Sequence, residues 1–319
     1  MDKPKFEGLR VGLALSHRQW RDVTQQFRAI ADGARQIGCR IAMANLNTAG
    51  WPIFDEKIDL CILWNGCKGA GGRIAERLRR EGTPILFLER GFFDRRAFTQ
   101  MDHQGFGHRA SWAGVVGRPA PADGPARLQL AWPHRLRACR PRERPGPGGH
   151  VLVVGQVAGD AQMTDCEIGR TQPLLDAVLA GTPDAVEVCV RPHPRGKWRP
   201  DLRGRAKLCE GGLLPAIDGA AFAVMINSNT AHECMARGRP VLCLGPALYA
   251  RDGLAKVARL AEAPQAVGEM LDGWAPDEDR VRNYLHWLAC RQWNSAELAA
   301  GEVLAERIAE ALTAQRAEQ

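Results

Sequence analysis

The first patterned segment is a strand-like run at 10–15, apolar after Arg10. Apolar side chains then return every three or four positions, at Trp20, Val23, Phe27, Ile30, Ala34 and Ile37. The first pattern is that of a buried strand and the second that of a helix with one buried face, closed by Gly38. Short apolar runs at 40–44, 59–64 and 84–88 read as further strands, with a helix over 72–81 between the last two. Strands separated by helices need crossover connections, so they assemble into a parallel, doubly wound sheet. From 117 to 149 the periodicity gives way to Pro, Gly and Arg, including Arg-Pro-Gly-Pro-Gly-Gly at 144–149, and this stretch reads as a linker. Alternation then restarts with strands at 150–154, 186–190, 221–226 and 240–244 and helices at 171–179 and 230–237. Amphipathic helices at 277–290 and 295–314 finish the chain. The pattern predicts an α/β protein of two Rossmann-like doubly wound domains facing a central cleft. Their bounds are 1–116 and 150–275, joined by a basic linker at 117–149 and followed by C-terminal helices at 276–319.

Composition adds limits rather than an identity. With 45% hydrophobic and 25% charged residues the chain is globular, and its 319 residues suffice for two cores. No run approaches the ~20 apolar residues of a membrane span, and the first residues lack the apolar core of a signal peptide, so a cytoplasmic protein is expected. The ten cysteines occur singly, without Cys-x-x-Cys pairs or zinc spacing, and read as reduced, mostly core residues. A net charge of +7 favours anionic partners. Much of it sits in Arg127, His134, Arg135, Arg137, Arg140, Arg142 and Arg144, a segment compatible with peripheral contact to anionic lipid on the inner membrane face. No aromatic stacking series or nucleic-acid module accompanies the charge, so nucleic acid is not an expected partner.

Doubly wound sheets bind ligands beyond the carboxyl ends of their strands, so the loops there are the candidates. One is Val151-Leu-Val-Val-Gly-Gln-Val-Ala-Gly-Asp160, which delivers Gln156 and Asp160. Another is Val190-Arg-Pro-His-Pro194, where two prolines fix the backbone around His193. A third is Ile226-Asn-Ser-Asn-Thr-Ala-His-Glu-Cys-Met-Ala-Arg-Gly-Arg-Pro240, a strand turning into a helix. Free N–H groups at that helix start, with the Ser228 or Thr230 hydroxyl, would suit a phosphate. Gly66, Gly69, Gly71 and Gly72 match neither a dinucleotide fingerprint nor a P-loop and read as a flexible acceptor-facing loop. Asp277-Glu-Asp279 has the D-x-D spacing of metal-dependent glycosyltransferases, yet it opens a helix, where acids favour the dipole. No metal is assigned to it.

These segments, with Gly245-Pro-Ala-Leu-Tyr-Ala-Arg-Asp-Gly-Leu254, Leu88-Glu-Arg-Gly-Phe-Phe93 and Asp102-His-Gln-Gly105, resemble the bacterial capsule polysaccharide β-Kdo transferases. That family shares a GT-B-like architecture with several bacterial sialyltransferases. The resemblance covers about half the chain in the family's order and is strongest from 150 to about 258. After Gly91 the sequence departs from it, with Phe93-Asp-Arg-Arg96 in place of a Leu-Arg-Ser stretch.

The resemblance implies a GT-B-like retaining transferase that moves Kdo, or a related keto sugar, from its CMP derivative to a saccharide or glycolipid acceptor in surface polysaccharide synthesis, with no metal or other cofactor. It implies that Asp160 is the nucleophile and that His193 serves the departing phosphate. Gln156, Pro194, Ser228, Asn229, Thr230 and Glu233 would bind the nucleotide sugar, with Glu233 at the ribose. On the first domain, the acceptor side, Glu89 is the candidate base and Asp102 a second candidate. The readings left open are a GT-B enzyme or epimerase using a UDP-sugar, and a catalytically silent saccharide-binding or assembly protein of the same fold.

Overall fold

The structure, a computed structural model, describes residues 6–15, 17–45, 53–133, 136 and 149–318. It divides into two compact units, Met1–Gly114 with Ala289–Gln319, and Val115–Leu288.

The first unit begins with β1 (Arg10–Leu15), α1 (His17–Gln36), β2 (Arg40–Asn45), β3 (Leu60–Trp64), α2 (Gly69–Arg80), β4 (Ile85–Arg90) and β5 (Phe98–Asp102). All five residues of β3 are buried, because successive side chains enter two different cores. Leu60, Ile62 and Trp64 join Val23, Phe27 and Ile30 of α1. Cys61 and Leu63 join Ile74, Ala75 and Leu78 of α2 on the opposite face. The predicted alternation is therefore present. β5 departs from it: Phe-Thr-Gln-Met-Asp mixes polar and apolar residues, and it runs antiparallel to β4.

The second unit holds α3 (Gly124–Ala131), β6 (His150–Val154), α4 (Thr171–Gly181), β7 (Val188–Arg191), β8 (Ala206–Leu208), α5 (Leu213–Gly219), β9 (Ala220–Met225), α6 (Thr230–Ala236), β10 (Val241–Cys243), β11 (Lys256–Val257), α7 (Ala263–Leu271) and all but the last two residues of α8 (Glu278–Cys290). Its sheet runs β11-β10-β9-β6-β7-β8, and every pairing is parallel. Counted from β6, this is the doubly wound order 3-2-1-4-5-6, which reverses direction between β6 and β9. Val151, Val153, Val188 and Val190 face Leu174 and Val178 of α4 and Val267 and Met270 of α7. Fully burying each such side chain contributes ~1.5–3 kcal/mol.

Helix α3 lies inside the segment expected to be a structureless linker. Pro125 stands in its first turn, where a missing N–H costs nothing, so a proline that reads as a breaker opens a helix instead. Residues 134, 135 and 137–148 of that segment, including His134, Arg135, Arg137, Arg140, Arg142 and Arg144, lie outside the described residues.

The tail belongs to the first unit. β12 (Trp293–Asn294) pairs antiparallel with β5, giving the sheet order β12-β5-β4-β3-β1-β2. α9 (Ser295–Ala300) and α10 (Glu302–Glu318) then place Leu298, Leu304 and Ile308 in the α1-side core. The single helix read at 295–314 is broken at Gly301, whose φ of +88° ends α9 in the left-handed region. A Cβ on Gly33 of α1 would lie 2.0 Å from the Leu298 carbonyl oxygen, so glycine there lets the α9 backbone rest on α1. Among the described residues no helix is long and apolar enough to cross a membrane.

Candidate functional site

In the second unit the loops after β6, β7 and β9 leave from the carboxyl edge of the sheet, on either side of the β6/β9 reversal. Gly155 follows β6 directly. A Cβ there would stand 3.0 Å from Pro192 Cα and 3.1 Å from the His193 nitrogen, so any larger residue would push the neighbouring loop back by a few tenths of an ångström. Gln156 comes next and is buried. Its Nε2 donates to Asn227 Oδ1 at 2.6 Å, and its backbone N–H donates to Thr171 Oγ1 at 3.2 Å. Asn227 in turn donates through Nδ2 to the carbonyls of Gln162 and Pro246 at 2.7 and 3.2 Å. The Gln156 amide is thus engaged in joining loops. It forms a floor beneath the site, and Asn227, which the sequence reading passed over, is its centre.

Asp160 and His193 come from the first two loops. The Asp160 carboxylate caps a short 3₁₀ turn, accepting the Gln162 N–H at 2.9 Å through Oδ1. His193 Nδ1 accepts the Arg195 N–H at 3.1 Å. An Nδ1 that accepts leaves the proton of the neutral ring on Nε2. Partial burial lowers the His193 pKa, the negative charge of Asp160 acts to raise it, and Arg195 acts to lower it. The two side chains therefore lie within electrostatic reach of each other, both half-buried. Pro194, beside them, is exposed.

At the third loop the sequence reading needs correction. Thr230 N–H donates to Ser228 Oγ at 3.3 Å, Ala231 N–H to the Ser228 carbonyl at 3.2 Å and His232 N–H to the Asn229 carbonyl at 3.0 Å. The amides expected to stand free at the start of α6 are consumed by their own turn, and α6 has only seven residues. The side chains of Ser228, Asn229, Thr230 and Glu233 remain half-exposed. A hydroxyl that accepts one bond keeps its own proton to donate, so Ser228 is still equipped to meet a phosphate oxygen. Beneath them His232 is buried against both tyrosines of the chain. Tyr284 Oη lies 3.0 Å from His232 Nε2, and Tyr249 Oη donates to the Ser228 carbonyl at 2.8 Å. Burial raises both phenol pKa values, which keeps them neutral donors.

In the first unit Glu89 lies at the carboxyl end of β4. Its carboxylate accepts Asn65 Nδ2 and the Arg90 N–H, each at 2.8 Å. Asn65 takes a left-handed φ of +67°, a conformation asparagine tolerates better than most residues. Asp102 is buried and fully engaged: it accepts the N–H groups of Gln104, Gly105 and Ser111 and the Ser111 hydroxyl. It shapes the loop at 103–111. Gly91 of the Glu-Arg-Gly-Phe-Phe segment has a packing reason, since a Cβ would fall 2.8 Å from Gln292 Oε1. That oxygen accepts the Phe92 and Phe93 N–H groups at 2.6 and 3.0 Å.

His150, Glu187 and Cys189 are close enough to share a metal ion. They sit at the amino end of β6 and β7, however, opposite the loops above, and Glu187 is already paired with Lys207 at 2.5 Å. Asp277 accepts the Asp279 and Arg280 N–H groups at 2.9 and 3.0 Å, so the D-x-D segment caps α8. Burial raises the Cys61 and Cys234 thiols beyond the titrating range and Cys243 to about 12, which suits inert core thiols.

No family model and no curated protein matches the sequence. Solved structures do match the fold. The β-Kdo 2,4 transferase of Thermosulfurimonas dismutans KpsC superposes with a TM-score of 0.58 at 16% identity, over 89% of this chain and 90% of that chain. The β-Kdo 2,7 transferase of the same protein gives 0.54 at 17% identity, over 82% and 89%. At these identities the likeness is one of fold: the chain has the two-domain, Rossmann-like GT-B architecture of the β-Kdo transferases.

Proposed function

We propose that the protein is a retaining glycosyltransferase that moves Kdo, or a related keto sugar, from its CMP derivative to a saccharide or glycolipid acceptor in surface polysaccharide synthesis. The approach of the loops carrying Asp160 and His193 at one carboxyl edge, where a Cβ on Gly155 would stand 3.1 Å from the His193 nitrogen, carries the reading. The fold likeness to β-Kdo transferases supports it.

In the first step Asp160 attacks the anomeric carbon as the bond to the CMP phosphate breaks, giving a glycosyl ester. The Gln162 N–H holds and orients the carboxylate through Oδ1 as the bond forms. The departing phosphate gains charge, and His193 Nε2–H offsets it by donation while Nδ1 stays fixed on the Arg195 N–H. The Ser228 and Thr230 hydroxyls add donors to the same phosphate, and Glu233 accepts from the ribose hydroxyls. In the second step an acceptor hydroxyl attacks the anomeric carbon, its proton passes to a base, and the Asp160 carboxylate leaves. Two inversions give net retention. No cofactor is invoked.

Asp160→Asn keeps the size and the Oδ1 acceptor but removes the nucleophile. Transfer from CMP-Kdo should fall on the order of 10³-fold or more, with CMP affinity within a few-fold of the parent by calorimetry. A fully active variant would refute the nucleophile.

A further inference from the structure

The glycine-rich corner after β3 is part of a cavity that the steps above leave unused. A pocket of about 390 Å³ lies wholly within the first unit, lined by Gly66, Lys68, Arg73, Arg79, Gln104 and Arg109 among others. Its volume falls in the ~300–1,000 Å³ range of small-molecule sites. Four cationic side chains face one carboxylate, Glu76.

Two of these charges, Arg73 and Arg79, are not neutralised by the fold. Arg73 has no ion pair among the described residues and is exposed. Arg79 lies 5.1 Å from the centre of the Phe87 ring, a wall that orients its guanidinium without neutralising it. Arg73 and Arg79 repel each other across the cavity, and an anion between them would offset that repulsion. Backbone donors point to the same class of ligand. α2 has twelve residues and begins at Gly69, its N-cap residue Lys68 supplies no side-chain cap, and the N–H groups of Gly69, Ala70 and Gly71 have no acceptor among the described residues. Gly66 has φ +62°, and a Cβ there would meet the Phe87 ring at 2.5 Å, so the loop must be this bare to lie where it does. The opposite wall, Gln104 to Arg109, is the loop held by the Asp102 carboxylate. Asn65, which positions Glu89, immediately precedes Gly66.

We propose that this cavity binds a carboxylate or phosphate group carried on the saccharide acceptor, with Arg73 and Arg79 as its principal side-chain contacts and the α2 amides as its backbone contacts. Acceptor recognition by charge rests on the transferase reading, whereas anion binding by the cavity does not.

The test is calorimetry on the full chain with three probes: free Kdo for a sugar carboxylate, glucose 1-phosphate for a phosphate ester, and glucose as the neutral control. Binding of Kdo or of glucose 1-phosphate, but not glucose, is expected, and the tighter of the two identifies the source of the anion. Arg73→Gln and Arg79→Gln should each weaken binding about 10-fold or more, the size of a lost charge-assisted hydrogen bond. Glu76→Gln should tighten it. All three side chains are exposed, so the variants should fold. Asp160→Asn should leave this affinity unchanged, which separates the cavity from the transfer chemistry: anion binding that persists while every CMP-sugar is refused would sink the transferase and spare the site. Absence of binding by both anions, or affinities indifferent to the arginine changes, would overturn the assignment.

Discussion

Two corners of the molecule share one topology, a buried parallel strand that turns at its carboxyl end into a helix, yet they use their backbone donors in opposite ways. After β9 the turn is polar and closed. Asn227 is bonded to Gln156 and two carbonyls, and the first amides of α6 are taken up by Ser228 and Asn229. After β3 the turn is bare and open, with glycines, unaccepted amides and surrounding cations. A strand–turn–helix unit therefore does not by itself make an anion site. What decides is whether the local side chains and carbonyls leave the helix's first donors unoccupied. In the closed corner ligands would be met by hydroxyls and carboxylates projecting from a rigid floor; in the open one, by the backbone and arginines.

The contrast breaks most readily at Asn227. Asn227→Ala removes the acceptor for Gln156 and the donor for two carbonyls in a buried setting, and should cost the second unit ~2–4 kcal/mol. Urea titration with amides of both units followed separately by NMR would show it, and an unchanged second-unit midpoint would mean that the floor is not held by this network. Gly66→Ala probes the open corner. The left-handed φ and the Phe87 contact should cost the first unit ~1–3 kcal/mol and narrow the cavity, with the second unit unaffected. If the variant is as stable as the parent, the bareness of the loop has some other cause.

Acidification is the mildest probe. His150, His193 and His286, all in the second unit, have pKa values lowered chiefly by burial from the usual 6.5. Between 6.5 and those lower values the unfolded chain binds more protons than the folded one. The contribution is thus fully present above pH 6.5 and is lost as pH falls through the folded values. Second-unit midpoints compared at pH 7.5 and 5.5 should drop on acidification, and a rise would contradict the sign.

The main strands were legible because parallel strands covered on both faces read as unbroken apolar runs, as 60–64 and 151–154 do. β5 was not, since it pairs antiparallel and carries Thr, Gln and Asp among its five residues. Nor was α3, whose proline looks like a breaker until it is seen in a first turn. At the site, the loops carrying Asp160 and His193 could be read from their position after strands. The engagement of Gln156 could not, because its partner lies 71 residues away. Asp102 shows the same gap: its partners are near in sequence, but only the folded loop shows that three amides and a hydroxyl converge on one carboxylate.

The return of residues 289–319 to the first unit sets an order of assembly during synthesis. A ribosome delivers β1 to β5 first, but the α1-side core lacks Leu298, Leu304 and Ile308 until α9 and α10 have emerged. The second unit, continuous from Val115 to Leu288, is complete sooner. The nascent chain is then a finished carboxyl-side unit tethered to an unfinished amino-side one, the reverse of the usual vectorial sequence.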